Sequence, residues 1–195
     1  MMSWKAEILK GMGLEWLELL PEEWLLLLLS LDDYEPLLGE ESLHTILFLY
    51  PYSPFNFTPL FITVYSREVS NALMALVSKG LVRRGLEFRE AMPVEVLRVT
   101  AAGRREGLRL IDRVRRSWLL LRGFVVKRGK QVIDELTALK RTYNGRGPAT
   151  LLKLLLNHVE SGSVVLEQRL GRDACSYLKK VYRSYLRDVG KRRFL

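Results

Sequence analysis

The chain has 195 residues, 48% of them hydrophobic, and a formal net charge of +9. This length and apolar content suffice to bury a core, and they exclude a wholly disordered chain. Cys175 is the single cysteine, so an intrachain disulfide is excluded and we expect a reducing, cytoplasmic location. Leucine, arginine and glutamate are abundant while glutamine and asparagine are scarce, a bias typical of proteins from hot environments and compatible with a hyperthermophilic archaeon as the source.

The charge is divided unevenly along the chain. Residues 1–60 carry two lysines against ten acidic residues, a net charge of −8, whereas residues 61–195 carry 29 lysines and arginines against 12 acidic residues, a net charge of +17. A surplus of this size predicts that the second part is attracted to polyanions. Two alternatives stay open: the charges solvate helix faces, or the acidic part pairs with basic helices of its own or a partner chain.

Residues 1–41 predict acidic helices that serve as a dimerisation or packing arm. Apolar residues recur at helical spacing over residues 4–20, and Pro21 opens a second helix that runs to about Leu31. Its apolar run is far shorter than the roughly 20 residues that a membrane span needs. The first residues lack a basic start leading into an apolar core, so we expect neither a secretory signal nor a membrane role.

Residues 42–65 predict short helices around an aromatic loop. A helix over residues 43–50 ends at Pro51, and residues 52–57 form the loop. Thr58 followed by Pro59 is typical of an N-cap and a first-turn proline, which predicts a further short helix to about Val64.

Residues 66–112 predict a helix, a hairpin and a second helix. Ser66 caps a helix that runs to Lys79, and Gly80 suits the position that follows a helix. Residues 81–90 and 94–99 then pair as strands around a proline-containing tip. Thr100 caps the next helix, which is basic.

The remainder of the chain predicts helices. Residues 113–144 are expected to form a long basic helix used for dimerisation, with Gly123 and Gly129 as points where it could bend or break. The cluster at residues 144–148 predicts a linker. Beyond it, residues 145–195 form a C-terminal helical extension, with one helix over residues 148–160 and one or two more ending near Val189.

Two segments carry a resemblance to a known family. The sequence Leu-Val-Ser-Lys-Gly-Leu-Val-Arg-Arg at residues 76–84 resembles the end of the recognition helix and the first wing strand of MarR/PadR-like winged helix-turn-helix regulators. Leu-Arg-Val-Thr-Ala-Ala-Gly-Arg at residues 97–104 resembles their exit from the wing. The resemblance covers residues 42–112 and implies a DNA-binding domain. The loop at residues 51–57 and the acidic residues Glu87 and Glu90 at the wing depart from the family's pattern.

Nine polar and basic residues are the candidate DNA contacts. Residues near the start of the capped helix would reach base edges, since arginine suits guanine and asparagine suits adenine. Arginines of the hairpin and of the following helix would meet phosphates. The candidates are Ser66, Arg67, Ser70, Asn71, Arg83, Arg84, Arg89, Arg104 and Arg105. The competing interpretation is that the helix residues are merely exposed and that the hairpin arginines protect a strand edge.

No enzymatic signature is found in the sequence. His44 and His158 lack metal-ligand spacing, and a lone cysteine makes no zinc site, so we expect no catalytic residues, no metal and no cofactor. The expected fold is mainly α with a small β-hairpin, a winged helix-turn-helix core flanked by N- and C-terminal helices. The expected function is a sequence-specific double-stranded DNA-binding transcriptional regulator acting as a homodimer. The alternatives are a winged helix protein-interaction module, or a non-specific architectural, plasmid- or virus-related DNA-binding protein.

Overall fold

Helices and short strands are interleaved along the chain. The computed structural model describes residues 4–13, 16–60, 63–89, 92–123, 125–146, 150–151, 153–154, 157 and 170–192. The elements, in chain order, are α1 (Trp4–Gly11), β1 (Trp16–Leu17), α2 (Pro21–Ser30), β2 (Leu37–Leu38), α3 (Glu40–Leu49), β3 (Thr58–Leu60), β4 (Thr63–Tyr65), α4 (Arg67–Ser78), β5 (Val82–Arg89), β6 (Met92–Val99), α5 (Ala101–Arg116), β7 (Trp118–Leu121), β8 (Val125–Arg128), α6 (Gly129–Tyr143) and α7 (Arg172–Arg192).

The described residues contain more strands than the single hairpin that was predicted. Within the described ranges, eight strands form three sheets with the orders β1-β7-β8, β2-β6-β5 and β3-β4. The β1–β7 pair is parallel and the other pairs are antiparallel. The predicted fold class, mainly α with a small β-hairpin, is therefore wrong, and the fold is mixed α/β.

The predicted long helix over residues 113–144 is interrupted by a hairpin. Helix α5 ends at Arg116, and the chain then forms β7 and β8 before α6 begins. Arg122 and Gly123 both have positive φ, at 51° and 70°, so the backbone reverses between the strands. The aromatic and β-branched residues of these strands favour a pleated sheet. The flanking segments have helical periodicity, and for this reason the sequence predicts one continuous helix.

Two further predicted helices are also strands in part. The segment after Thr58 forms β3 and β4, in which Pro59 lies opposite Val64. Proline is tolerated in this two-stranded ribbon because edge strands have free donor positions. Residues 16–17, predicted as the end of a helix, form β1 beside β7. These three strands are only two or three residues long, too short for alternation to be recognised.

The elements predicted for residues 66–112 are found in the predicted order. Helix α4 is followed by β5, β6 and α5, and Ser66 and Thr100 are the N-caps of the two helices. Gly80 follows α4 with φ of 67°, a left-handed conformation that glycine adopts without strain. Strand β2 adds a third strand to this hairpin, which the sequence did not predict.

Helix α2 lies at the centre of the core. Its residues Trp24 to Leu29 are at most 6% exposed, and the helix packs on α4, α5, α6 and β6. One buried apolar cluster includes residues of all four segments predicted from sequence, from Trp24 to Cys175. The acidic N-terminal region is tied to the basic part of its own chain through Glu22–Lys79, Glu23–Arg113 and Asp32–Arg141 ion pairs.

A buried lysine closes the C-terminal end of α2. The Nζ of Lys140 donates to the carbonyl oxygens of Leu29 and Leu31 at 3.0 and 2.8 Å. These carbonyls have no partner within the helix, so the ammonium supplies one. Burial lowers the pKa of Lys140 to about 8, although the nearby carboxylates of Asp32 and Glu35 oppose that shift.

The predicted linker begins at a well-anchored residue. The side chain of Asn144 accepts from the Leu38 N–H at 2.9 Å and donates to the Pro36 carbonyl at 2.9 Å. Helix α7 packs on β3 and buries Cys175 and Leu178. The helix predicted over residues 148–160 lies largely outside the described residues.

Candidate nucleic-acid interface

Helix α4 is fixed at its N-terminus by a buried cap. The Oγ of Ser66 accepts from the Val69 N–H at 3.4 Å, and the Ser66 N–H donates to Nδ1 of His44 at 3.2 Å. Ser66 is only 1% exposed as a result. The prediction that Ser66 lies on the outer face of α4 is therefore wrong, because its polar groups are used to position the helix.

The inner and outer faces of α4 differ sharply in composition. The inner face is buried in the core and consists of Val69, Ala72, Leu73 and Leu76. The outer face carries an exposed stripe at helical spacing, formed by Arg67, Asn71, Met74 and Ser78. Of these, Arg67 and Asn71 are predicted contacts, whereas Met74 and Ser78 are not predicted from sequence. Met74, the one apolar residue of the stripe, is 56% exposed.

Ser70 and Arg84, both predicted contacts, are bound within the protein. The Ser70 Oγ donates to Oε1 of Glu40 at 2.7 Å. Arg84 pairs with the other carboxylate oxygen of Glu40, and its Nε lies 3.3 Å from Oε1 of Glu95. The carboxylate of Glu40, at the start of α3, thus joins α4 to strand β5. Both side chains therefore help to position α4 and the hairpin, while the Arg84 side chain remains 41% exposed.

His44 is the buried centre of this cluster. Its Nδ1 accepts from the Ser66 N–H, so its Nε2 carries the hydrogen and faces Oε1 of Glu40 at 3.3 Å. Burial lowers the pKa of His44 to about 4, and the nearby Glu41 only partly opposes this. The ring is neutral at pH 7, which is the state that can accept the bond from Ser66.

Glu68 anchors the aromatic loop beside α4. Its two carboxylate oxygens accept from the backbone N–H and the side-chain amide of Asn56, at 2.8 and 3.0 Å. A free carboxylate near the start of α4 would repel phosphate, but here two donors partly offset its charge. The loop at residues 51–57 departs from the pattern of the resembled family, and this contact explains how it is held against α4.

The remaining predicted arginines lie at the base of the hairpin and along α5. Arg83, Arg104 and Arg105 are exposed, and none of them has an ion-pair partner among the described residues. Arg83 and Arg104 line the same cleft, together with Arg98, which sequence reasoning missed. Strand β5 includes Arg89 in its backbone, but the Arg89 side chain lies outside what the structure describes.

One face of β5 carries exposed apolar side chains near the end of the strand, which was not predicted from sequence. Leu86 and Phe88 are 72% and 78% exposed and lie on the same face of β5. The two side chains form a small contiguous apolar patch, and contiguous patches, unlike isolated residues, can mark a contact site. Alternate residues share one face of a strand, so the sequence contains this signal at residues 84–88.

The described part of the chain contains neither a candidate metal centre nor a candidate membrane span. There, no group of three or more His, Cys, Asp or Glu residues lies close enough to hold a metal ion. No helix among the described residues combines the length and apolar content needed to cross a membrane. Comparison of the chain with models of protein families, with curated proteins and with solved structures gives no match.

Proposed function

We propose that this chain is a sequence-specific double-stranded DNA-binding regulator of transcription that acts as a dimer. Helix α4 is the recognition helix and β5–β6 is the wing of a winged helix-turn-helix unit. The observation that carries the proposal is the outer stripe of α4, in which Arg67 and Asn71 lie one turn apart and are exposed while the opposite face is buried. Arginine pairs with guanine and asparagine with adenine in the major groove.

Electrostatics support a polyanionic partner. The acidic N-terminal residues of α2 and of the following turn pair with basic residues of the same chain, so they neutralise part of the positive charge internally. The uncompensated surplus includes Arg67 on α4, Arg83 on β5, and Arg104 and Arg105 at the start of α5. Cations on a helix and on the neighbouring hairpin match the phosphates that flank a groove.

Dimerisation is supported by exposed apolar residues on α1 and on the turn that follows it. Trp4, Ile8 and Met12 are spaced four residues apart, so they share one face, and all three are exposed. A single recognition helix reads few base pairs, and a symmetric dimer doubles the contact on a palindromic site. The proposed action is occupancy of a promoter.

Selection of bound oligonucleotides from a random duplex pool tests the proposal. We expect an enriched motif with two-fold symmetry. The double variant Arg67→Ala/Asn71→Ala should lose about 30-fold or more in affinity for that motif, because it removes two base contacts and each good bidentate contact contributes about 1–3 kcal/mol. Arg115→Ala, which removes an exposed arginine on α5 away from α4, is the control and should retain the motif.

Two outcomes would contradict the proposal. Equal affinities and equal salt dependence for selected and random duplexes would indicate a non-specific architectural protein. A double variant that binds and selects like the native chain would remove α4 from the interface.

A protein-interaction module is the second candidate. Leu86 and Phe88 at the exposed tip of β5 favour it, because apolar side chains suit a protein partner better than a phosphate backbone. Under this candidate Arg67→Ala/Asn71→Ala has little effect, whereas Phe88→Ser abolishes binding of the partner.

A further inference from the structure

A polar cleft lies at the base of the β5–β6 hairpin, on a different part of the surface from the outer stripe of α4. Its volume is about 380 Å³. Arg83 of β5, Arg98 of β6 and Arg104 of α5 contribute three guanidinium groups. The remaining wall is formed by Tyr34, Pro36, Val99, Thr100 and Ala101.

The three arginines lie close together although their positive charges repel one another. Arg83 lies directly opposite Arg98 in the register of the two strands, and like charges at such a position are unfavourable. Arg98 pairs with Glu87, but neither Arg83 nor Arg104 has a carboxylate partner in the described ranges. Three cations therefore share one carboxylate, which leaves a local excess of positive charge.

The geometry of the cleft is held by contacts that involve no carboxylate. The guanidinium of Arg104 stacks over the ring of Tyr34 at 5.0 Å, and the Tyr34 hydroxyl donates to the Arg104 carbonyl at 3.3 Å. Burial raises the pKa of Tyr34, with Arg104 opposing that shift, so the phenol is uncharged and does not offset the arginines.

The start of α5 is also fixed in place. The Thr100 Oγ1 donates to the Gly80 carbonyl at 2.7 Å. Gly103 approaches β5 so closely that an added Cβ would come within 2.0 Å of the Leu81 carbonyl oxygen. The cleft therefore presents its arginines from elements that are packed together, which reduces the ordering cost of binding. The N-terminal end of the α5 dipole adds to the attraction for an anion.

We propose that the cleft formed by Arg83, Arg98 and Arg104 binds a phosphate group. Guanidinium groups present paired donors that match phosphate oxygens, and several of them around one cleft favour a multiply charged anion over a carboxylate. The volume leaves room beyond a single tetrahedral anion, within the range of small-molecule sites. The phosphate comes either from a free phosphorylated compound or from a duplex backbone. Binding does not require the outer face of α4.

Calorimetry with inorganic pyrophosphate tests the first source. At constant ionic strength we expect saturable binding by the native chain and about 10-fold weaker binding by Arg83→Gln and by Arg104→Gln, since each loses a charge-assisted contact. Arg115→Gln removes the same charge from α5 outside the cleft and should bind like the native chain. Arg67→Ala/Asn71→Ala should also retain pyrophosphate, so this result stands even if the chain binds no duplex.

Salt titration on a duplex tests the second source. If the backbone phosphate occupies the cleft, Arg104→Gln lowers the slope of log affinity against log salt by about 1, and Arg115→Gln does not. The proposal is supported if only the cleft variants show weaker pyrophosphate binding or a smaller salt slope. The assay in which the change occurs identifies the source of the phosphate. Variants that match Arg115→Gln in both assays would overturn it.

Discussion

The hairpins β5–β6 and β7–β8 differ in what they bury. Each follows a helix directly, β5 after α4 and β7 after α5. In β7, Leu119, Leu120 and Leu121 are all buried, whereas in β5 every described side chain after Val82 is at least partly exposed. One hairpin is therefore part of the core, and the other projects toward solvent.

The position of each strand within its sheet explains the difference. Strand β7 is central, between β1 and β8, and its continuous apolar sequence suits burial on both faces. Strand β5 is at the edge of its sheet, and its arginines and Glu87 are typical of an edge that must not pair with another chain. The arginines of β5 are thus exposed on an edge strand, whereas the leucines of β7 are enclosed between two neighbouring strands.

Each hairpin is joined to a helix by an ion pair, β5 to α3 and β8 to α6, and the two pairs differ in their surroundings. Arg84 of β5 pairs with Glu40 beside the neutral His44. Lys127 of β8 pairs with Glu135 at 2.5 Å, and its Nζ lies 4.4 Å from the centre of the Tyr52 ring. The surroundings of the Arg84–Glu40 pair include His44, a side chain that titrates near pH 6.5 in the unfolded chain. The Lys127–Glu135 pair includes no such group.

Leucine truncation should separate the two hairpins most clearly. Leu119→Ala should lower the free energy of unfolding by about 3 kcal/mol, because Leu119 is fully buried and the truncation leaves a cavity. Leu86→Ala is the same chemical change on the exposed hairpin and should cost less than about 0.5 kcal/mol. Denaturant unfolding measures both. Similar losses for the two variants would contradict the assignment of β7 to the core.

Glycine substitution gives a second, smaller contrast. Gly129, where β8 joins α6, would carry a Cβ only 1.7 Å from the Val114 carbonyl oxygen. Gly129→Ala should therefore cost about 2 kcal/mol through backbone displacement. Gly85 on β5 has no atom within 4 Å of an added Cβ, and Gly85→Ala should be neutral or slightly stabilising. Thermal unfolding of both variants checks this, and a destabilised Gly85→Ala would contradict the open surroundings of β5.

The sequence predicts the first hairpin but not the second, for physical reasons. Around β5–β6, Ser66, Gly80 and Thr100 mark local backbone requirements, and such requirements are visible in the residues themselves. Strand β7 has no alternation, so its leucines are compatible with a buried helix or a buried strand. Its partner β1 is more than 100 residues distant, and that pairing has no local signal.

The candidate interface was predictable only in part. Exposure of Arg67 and Asn71 follows from helical periodicity once α4 is placed. The burial of Ser66 and the pairing of Ser70 and Arg84 with Glu40 depend on contacts with α3 that span 22 to 44 residues of the chain. Helical periodicity does not report such contacts. Arg98 faces Arg83 only because of the strand register.

Acid should weaken the attachment of β5 through Arg84 and Glu40 more than the attachment of β8 through Lys127 and Glu135. The pKa of His44 is about 4 in the folded chain, whereas its ordinary value of 6.5 applies in the unfolded chain, so the unfolded chain binds the proton more readily. Stability is complete above pH 6.5 and is lost as the pH falls toward 4, with a loss of about 1 kcal/mol by pH 5.5. His44→Asn, whose side-chain oxygen can still accept from Ser66, should lack this part of the pH dependence.

Hydrogen exchange at pH 7 and pH 5.5 locates that loss. Amides of α4 and β5 should exchange faster at the lower pH, whereas those of β7 and β8 should change little until global unfolding contributes. Equal acceleration in both hairpins, or an identical pH dependence in His44→Asn, would contradict the role of His44.

The smallest effect is expected at the tip of β5. Phe88 is 78% exposed, so Phe88→Ser should change the free energy of unfolding by less than about 0.5 kcal/mol. Leu121→Ser on β7 is the matched change and should be strongly destabilising, because it places a hydroxyl among buried apolar residues. If Phe88→Ser lowers the thermal midpoint, and lowers it more as the protein is concentrated, the tip is covered by a second copy of the chain. An edge hairpin that is covered in this way would not be free to contact a duplex, so this measurement also decides which surfaces remain available.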